Sequence, residues 1–343
     1  MSDVQSLMFA EAASAPAVVA AQISANREIV RAAAAHLRAL DPPFALTIAR
    51  GSSDHAATFA KLLFETRLRI PVVSQAPSIA TLYKATSPRL KGTAVLAISQ
   101  SGRSPDLIET ASAAKEAGAT LIVLVNDEDS PLAALADFLI PLRAGPERSV
   151  AATKSFIASL AAIAHLVAEW QQDADLLGAL DGIGDALTDA WAQDWSAALD
   201  PLEQAQSMLV LGRGITWPIA SEAALKFKET AQIHAEAFSS AEVAHGPMAL
   251  VGDGDPILAF APTDEAAAGF GDRLAAFVDR GATVIAAGGE PASIALPVAP
   301  AAHPVIGAIA MIQSFYRLAE QLARARGLDP DRPPFLAKVT RTL

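Results

Sequence analysis

The chain has 343 residues, of which 52% are apolar and 18% charged, and it carries a formal net charge of −11. This length and composition predict a compact folded protein with room for two domains, and they exclude a disordered chain. The acidic charge and the lack of a Lys/Arg run argue against nucleic acid as a partner, whereas an anionic substrate remains possible because distant acids are screened over roughly 10 Å. The chain contains no cysteine, which excludes disulfides, thiolate metal sites and a cysteine nucleophile.

The sequence predicts neither a signal peptide nor a membrane span. The first residues lack a basic region, and Glu11 interrupts the apolar residues that follow. The longest apolar helix, predicted over 156–168, is too short to cross a bilayer and contains His165. We therefore expect a cytoplasmic protein with no membrane partner. No two of the six histidines have compact ligand spacing, so we expect no metal and no cofactor.

The elements follow one another as alternating strands and helices after a helical start. Helical spacing over 8–40 predicts a lead-in segment, with a helix start at Pro16. The predicted strands cover 45–49, 72–73, 93–98, 120–125 and 138–140, and the predicted helices cover about 55–66, 105–117 and 153–171. This alternation predicts an α/β fold with a parallel, flavodoxin-like sheet and helices on both faces.

The second half of the sequence repeats the first. Arg50-Gly51 and Arg213-Gly214 each end an apolar strand, and Ala119-Thr120 and Ala282-Thr283 recur at the same separation. We therefore predict two tandem domains of this fold. The predicted boundaries are a helical lead-in (1–40), a first domain (41–171), a polar helical linker (172–200), a second domain (201–330) and a C-terminal tail (331–343).

The segment 99–104, which follows the strand at 93–98, has the composition of a phosphate-binding loop. Its sequence is Ser-Gln-Ser-Gly-Arg-Ser, and the hydroxyls and backbone N–H groups stand at a helix start. Ser104 is predicted to cap that helix, with Pro105 in its first position and Asp106 in its first turn. The second copy has Ala261-Pro262-Thr263-Asp264 at the matching turn, where an acid would repel phosphate. Only the first loop is therefore expected to bind it.

A second candidate group lies between residues 221 and 247. Glu222, Lys226 and Glu229 share one helix face, which fits either a surface ion-pair ladder or a cleft where a carboxylate moves protons. His245 precedes Gly-Pro and must lie at a turn, a place that suits a positioned acid or base. Near the chain end, Lys338 follows two prolines; it is either solvated or folds over a sugar phosphate, where it could form a Schiff base.

Taken together, these motifs resemble the isomerase half of glucosamine-6-phosphate synthase, which consists of two sugar-isomerase (SIS) domains. The resemblance covers about residues 8–343. It rests on Gly51-Ser52-Ser53, Ser99-Gln100-Ser101-Gly102, the segment from Glu222 to Pro247 and Leu336-Ala337-Lys338, with a further match from Val150 to Phe156.

The resemblance implies a role for each matching residue. The sugar phosphate is bound by Ser53, Ser99, Gln100, Ser101 and Ser104, with Val150 alongside. Glu229 moves a proton between C1 and C2, His245 assists ring opening from the neighbouring subunit of a homodimer, and Lys338 engages the open-chain ketose. Glu222 and Lys226 form the supporting ion pair.

Two departures from the synthase shape the functional hypothesis. The sequence contains neither the synthase's glutaminase domain nor a cysteine, so we expect no ammonia transfer from glutamine by that route. Ala244 replaces the lysine that commonly precedes the histidine. The leading hypothesis is a glucosamine-6-phosphate deaminase. The alternatives are an aldose-ketose isomerase or a deglycase for another sugar phosphate, or a phosphosugar sensor without turnover; the few cations in the lead-in do not favour the DNA-binding helix that such sensors carry.

Overall fold

The computed structural model describes residues 5–338, which form two compact units, each built around one five-stranded sheet. The first unit comprises Ala17–Glu147 and Lys154–Gly182, together with Ala337 and Lys338. The second unit comprises the described residues up to Pro16, Arg148–Thr153 and Ile183–Leu336. Of the predicted lead-in and tail, residues 1–4 and 339–343 lie outside the described part of the chain.

Both sheets are parallel throughout and have the same strand order. The strands of the first unit are β1 (Ala45–Ile48), β2 (Val72–Ser74), β3 (Ala94–Ser99), β4 (Thr120–Val125) and β5 (Phe138–Pro141). Those of the second unit are β6 (Ser207–Gly212), β7 (His234–Ser239), β8 (Pro256–Phe260), β9 (Thr283–Ala287) and β10 (Ile294–Leu296). The orders are β2-β1-β3-β4-β5 and β7-β6-β8-β9-β10, so the second sheet repeats the first strand for strand. This is the flavodoxin-like order, and it confirms the predicted fold class.

Thirteen α-helices are described within residues 5–338, most of them connecting consecutive strands. They are α1 (Leu7–Ala13), α2 (Ala15–Leu40), α3 (Ser52–Leu63), α4 (Pro77–Thr81), α5 (Pro105–Glu116), α6 (Pro131–Leu135), α7 (Lys154–Gln171), α8 (Ala174–Asp181), α9 (Ile183–Ala192), α10 (Leu199–Glu203), α11 (Trp217–Ala231), α12 (Phe270–Val278) and α13 (Pro304–Ala325).

The central strands are almost entirely apolar because each sheet is covered on both faces. In the first unit, alternate residues such as Val95 and Ala97 pack in one core cluster with Leu107 and Ala111 of α5. The opposite face of β1 and β3 contacts α3. In the second unit, α12 packs in the cluster on one face of its sheet, while α11 contacts β6 and β8. Period-two alternation therefore disappears from the sequence, as expected for a buried parallel sheet.

The helical start is two helices rather than one. The Ser14 hydroxyl donates to the Glu11 carbonyl at the end of α1, and Pro16 has no N–H to continue the ladder to Ala12. The Ala12 carbonyl instead accepts from the Gln313 side chain at 3.0 Å. The chain therefore restarts as α2, with Pro16 in the first turn as predicted.

Within residues 5–338, no single helix is long and apolar enough to cross a membrane. The bent pair formed by α1 and α2 meets that test of length and composition when the two helices are taken together.

Candidate active site

The serine-rich loop of the first unit joins β3 to α5 and is tied down by backbone hydrogen bonds. The Gly102 N–H donates to the Ser99 hydroxyl at 3.0 Å. The Asn126 N–H donates to the Gln100 carbonyl, and the Leu132 N–H donates to the Gly102 carbonyl, each at 3.2 Å. The loop is therefore fixed against the neighbouring β4–α6 connection before any ligand binds.

Gly102 is required where the loop passes closest to its neighbours. Its φ is +62°, a backbone conformation that favours glycine. A Cβ at this position would also overlap the Ser130 hydroxyl and lie 2.9 Å from Val125 Cγ2. The close approach explains why a glycine follows the serines.

Ser104 occupies the N-cap position of α5, but its hydroxyl makes no capping hydrogen bond. The sequence-based expectation of a side-chain cap was therefore wrong, although the helix begins at Pro105 as predicted. The extended backbone of Ser104 already turns the chain into the helix, and Pro105 removes one N–H group that would need a partner. The Leu107 N–H in the first turn of α5 donates instead to the Asp106 carboxylate at 2.9 Å.

An ion pair beside this loop was not singled out in the sequence. The Arg50 guanidinium, half exposed at the end of β1, donates to the buried Asp106 carboxylate at 3.0–3.1 Å. Ile48 pairs with Ala97, so the chain leaves β1 at Arg50 and β3 at Ser99 along the same sheet edge. The position of Arg50 between an apolar strand and a glycine was the available signal, since a cation at the carboxyl end of a parallel strand lies where ligands bind.

Ser53 lies at the start of α3, on the neighbouring strand's connection. It follows Gly51, whose φ is +56°, by two residues, and it is partly buried. Burial raises the pKa of the adjacent Asp54 carboxyl, and the positive charges of His55 and Arg50 offset part of that effect. Because β1 and β3 are parallel neighbours, the chain enters both α3 and α5 from the same edge of the first sheet.

The corresponding turn of the second unit carries its own anion. After β8, the Asp264 carboxylate accepts a hydrogen bond from the Ala266 N–H at 3.0 Å. A side-chain carboxylate thus caps a short 3-10 turn, Glu265–Ala267, at the point where the first unit has serines and glycine. That only the first loop binds phosphate stays a prediction.

Glu222, Lys226 and Glu229 form an ion-pair trio on one face of α11. Lys226 Nζ lies 3.3 Å from Glu222 Oε1 and 2.5 Å from Glu229 Oε2. The side chains of Glu222 and Lys226 are buried, whereas that of Glu229 is 20% exposed. Tyr316 of α13 donates its hydroxyl to Glu222 at 3.2 Å. Because two of the three charges are buried, the trio is not a surface ladder.

Within the trio, the charge of Lys226 and the exposure of Glu229 indicate which side chain can exchange a proton with a ligand. Burial alone would lower the pKa of the Lys226 ammonium, but the carboxylates of Glu222 and Glu229 together outweigh it and hold that pKa above its ordinary value. Lys226 is therefore a permanent cation. Of the three side chains, Glu229 is the one with solvent access, so it is the carboxylate that a ligand can reach.

His245 and Val150 also belong to the second unit. His245 is exposed at the end of a 3-10 helix spanning Glu242–His245, followed by Gly246 with φ +146°. It lies at a turn, as the sequence predicted. The Val150 N–H donates to the Asp331 carbonyl at 3.2 Å.

Lys338 is held in the first unit by a residue that the sequence analysis did not single out. Its Nζ lies 3.0 Å from Glu147 Oε2, and the Glu147 side chain is wholly buried. Glu147 stands three residues before the Val150–Phe156 match, and an acid so close to that motif was the one available signal. Among residues 5–338, no three His, Cys, Asp or Glu side chains are grouped as metal ligands would be.

The fold and these residue groups identify the class of protein. The family profile of the SIS domain matches residues 44–168 and 201–295, one match in each of the two sheets' regions. The chain therefore belongs to the SIS-domain family, and it contains two copies of the domain.

Two comparisons identify particular relatives. The chain is 32% identical over 342 residues to the isomerizing glutamine–fructose-6-phosphate aminotransferase of Thermococcus kodakarensis, a match that covers 94% of this chain and 56% of that protein. The chain thus spans little more than half the length of this curated relative. A crystal structure from Silicibacter pomeroyi, provisionally described as a phosphosugar isomerase, matches with a TM-score of 0.91 and 40% identity over 95% of this chain and all of that chain.

The fold also matches an enzyme of the class hypothesised above. Glucosamine-6-phosphate deaminase from Thermotoga maritima matches with a TM-score of 0.79 over 98% of this chain and 100% of that chain. Its sequence identity is 22%, so this likeness shows the shared fold alone.

Proposed function

We propose that this chain is an amino-sugar-phosphate deaminase/isomerase that converts glucosamine-6-phosphate and water into fructose-6-phosphate and ammonia. The observation that carries the proposal is the α11 trio, in which the partly exposed Glu229 carboxylate is backed by a buried cation and a buried second acid. A base held in this way suits proton transfer between neighbouring carbons. The similarity to an enzyme named for fructose-6-phosphate and for isomerisation supports the same substrate class.

Substrate binding in this proposal begins at the phosphate. The hydroxyls and N–H groups of the β3–α5 loop and of the α3 start receive it, and the half-exposed Arg50 adds a positive charge at the same sheet edge. The phosphate-binding residues are Ser53, Ser99, Gln100, Ser101 and Ser104.

The chemical step is a proton shift followed by hydrolysis. With the sugar ring open, Glu229 removes the proton from C2, and the electron pair forms the C1–C2 double bond of an enaminol as the aldehyde oxygen takes a proton from water. The same carboxyl returns the proton to C1, and the nitrogen gives up one proton to the hydroxide formed from that water. The 2-amino aldose thereby becomes a ketose imine; water adds to its C2 carbon and ammonia leaves. Lys226 keeps the charge of the trio balanced while Glu229 gains and loses the proton.

Three further residues complete the proposal. His245 assists ring opening, and in a homodimer it is contributed by the neighbouring subunit. Val150 lies alongside the substrate, and Lys338 interacts with the carbonyl of the open-chain sugar. The ammonium group of Lys338 suits it to an oxygen that becomes negative.

A second candidate is an aldose-ketose isomerase of another sugar phosphate. It is favoured by the 40% identity to the Silicibacter pomeroyi protein described as a phosphosugar isomerase. The same loop and the same base would serve it, because the proton shift is common to both reactions. Release of ammonia separates the two.

The test is to incubate the purified protein with glucosamine-6-phosphate and to measure ammonia and fructose-6-phosphate together. We expect equal amounts of both products, and we expect Glu229→Gln to lower kcat by roughly 10³-fold because the general base is lost. Glu236→Gln, which changes an exposed acid on β7, is the matched control and should retain full activity.

Three outcomes would contradict this proposal. Binding without ammonia, but with an isomerised sugar, assigns the second candidate. Binding without any product assigns a phosphosugar sensor. Full activity in Glu229→Gln removes Glu229 from the chemistry.

A further inference from the structure

Glu147 is a carboxylate whose burial requires hydrogen-bond partners for both of its oxygens. Its side chain is wholly buried, in the connection between β5 and α7. Its Oε1 accepts the Ser155 N–H at 3.1 Å, and its Oε2 accepts the Ser155 hydroxyl at 2.6 Å and the Lys338 ammonium at 3.0 Å. A buried carboxylate that lost such partners would be strongly destabilising, so these contacts fix both oxygens in place.

The start of α7 and the Lys338 ammonium both contact the Glu147 carboxylate. Ser155 is the second residue of α7, so its N–H belongs to the positive end of an 18-residue helix that is itself buried. Lys338 is different: its side chain is 23% exposed and it lies near the end of the chain. The start of α7 therefore contacts the Glu147 carboxylate independently of Lys338.

Lys338 depends on this contact in return. Two of the residues just before it, Phe335 and Leu336, are exposed, so they contribute little apolar burial that could hold the segment. A charge-assisted hydrogen bond to a buried carboxylate is worth more than an exposed ion pair, because solvent screens it less. The pair with Glu147 is therefore the contact that fixes the Lys338 ammonium.

We propose that Glu147 is the positioning residue of Lys338. Its buried carboxylate holds the ammonium of Lys338 in one place before substrate arrives, and Lys338 exchanges this partner for the carbonyl oxygen of the open-chain sugar. The catalytic part of this inference rests on the proposed function; the docking of Lys338 does not. The competing explanation is that Glu147 serves only the start of α7.

The first test measures Lys338 directly and needs no turnover. The rate at which an amine-reactive acylating reagent modifies Lys338 is followed by mass spectrometry, with the exposed Lys91 as internal reference. In Glu147→Gln, which keeps an acceptor for the Ser155 N–H but loses the charge, we expect labelling of Lys338 to be roughly tenfold faster than in the wild type, because one charge-assisted hydrogen bond is lost.

The matched control is Ser155→Ala. It removes a hydroxyl from the same carboxylate while leaving the charge, so labelling of Lys338 should stay close to the wild-type rate. Equal labelling of Lys338 in the wild type and in Glu147→Gln would overturn the proposal. Equal acceleration in both variants would also overturn it, since the carboxylate would then act through the helix start.

The second test is a double-mutant cycle on the deamination reaction. We expect Glu147→Gln to lower kcat by roughly 10- to 100-fold with a smaller change in KM, and to cause no further loss in a Lys338→Met background. Glu147→Asp, which retains the charge on a shorter side chain, should recover part of the activity.

The outcomes separate the two proposals. If Glu147→Gln is as harmful with Lys338 replaced as with Lys338 present, Glu147 acts independently of it and the inference fails. If the wild type itself makes no ammonia and no isomerised sugar, the proposed function fails, and the labelling experiment still decides whether Glu147 docks Lys338.

Discussion

At the scale of single residues, Lys226 is a fully buried charge of the second unit. It is buried between two carboxylates, and removing it leaves Glu222 buried without its cation. We expect Lys226→Met to lower the free energy of unfolding by about 3–5 kcal/mol, the usual cost of breaking a buried pair by deleting one partner. Urea denaturation followed by circular dichroism would measure it.

The neighbouring Lys228 provides the matched control. It lies on the same helix, is partly exposed, and donates to the Ala235 carbonyl at 2.9 Å. Lys228→Met should therefore cost much less than Lys226→Met. Similar losses in the two variants would mean that the trio contributes no more than ordinary lysine packing on α11.

Gly102 gives a second prediction at this scale. An alanine there must adopt a positive φ and also overlaps Ser130, so we expect Gly102→Ala to cost about 1–3 kcal/mol and to abolish binding of fructose-6-phosphate measured by calorimetry. Gly145→Ala is the matched control, because Gly145 has φ +65° and an added Cβ would meet nothing within 4 Å. If the two variants bind equally well, the close approach of the loop to Ser130 is not required for binding.

At the scale of elements, α7 contains a titratable group in its buried interior. Burial lowers the pKa of His165 to about 4, and the positive charges of Arg27 and Arg31 add to that effect while Glu169 opposes it. As the pH falls, His165 therefore takes up a proton near pH 6.5 in the unfolded chain but only near pH 4 in the folded chain. The free energy of unfolding is not reduced by His165 above about pH 6.5, and it decreases as the pH falls below that value.

The expected size of this effect is about 3 kcal/mol between pH 6.5 and pH 4. Chemical denaturation across this range should show a steep loss of stability in the wild type and a shallower one in His165→Leu. The exposed His36, replaced by glutamine, serves as the control and should leave the wild-type slope unchanged. An unchanged slope in His165→Leu would show that other groups cause the acid sensitivity.

The elements also show what a sequence can and cannot predict. Strand β4 and helix α7 lie within a residue of their predicted positions, because each is a long apolar run between clear turn residues. The restart of the helix at Pro16 was predicted from that residue, but the bond from the Gln313 side chain to the Ala12 carbonyl joins residues 301 positions apart and was not. Ser104 has the right residue type and position for a cap, yet its hydroxyl makes no such bond.

The candidate site divides in the same way. The loop at 99–104 and the α11 trio were predictable because their residues are neighbours in sequence. The contacts of Arg50 with Asp106 and of Glu147 with Lys338 join residues 56 and 191 positions apart. Such pairs depend on the order of the strands in the sheet and on where the C-terminal residues pack. Periodicity in a single sequence contains neither kind of information.

At the scale of the whole molecule, the proposed homodimer can be tested by mixing two inactive variants. Activity is restored only if the two subunits share their sites. If His245 acts in the site of the neighbouring subunit, a mixed dimer of His245→Ala and Glu229→Gln chains contains one site with both defects and one intact site. Unfolding and refolding an equal mixture should restore about a quarter of the wild-type activity, because half of the dimers are mixed. Each variant refolded alone is the control.

The absence of any restored activity, with mixed dimers demonstrated by mass spectrometry, would place His245 and Glu229 in the same subunit's site. It would leave the phosphate loop and the α11 trio as proposed, because neither depends on a second chain.

The Asp264 turn has a consequence for the history of the chain. Two copies of one fold were joined, and both kept the same strand order, yet the loop of one copy now carries a carboxylate of its own. If only the first loop binds a ligand, the second copy is released from the selection that keeps serines and glycine in that loop. We expect such a copy to tolerate exchanges around residues 261–264 that the first copy rejects at 99–102, and to be conserved instead along α11. After the duplication, the two copies would thus have come to differ in which segment is conserved: the loop in the first copy and α11 in the second.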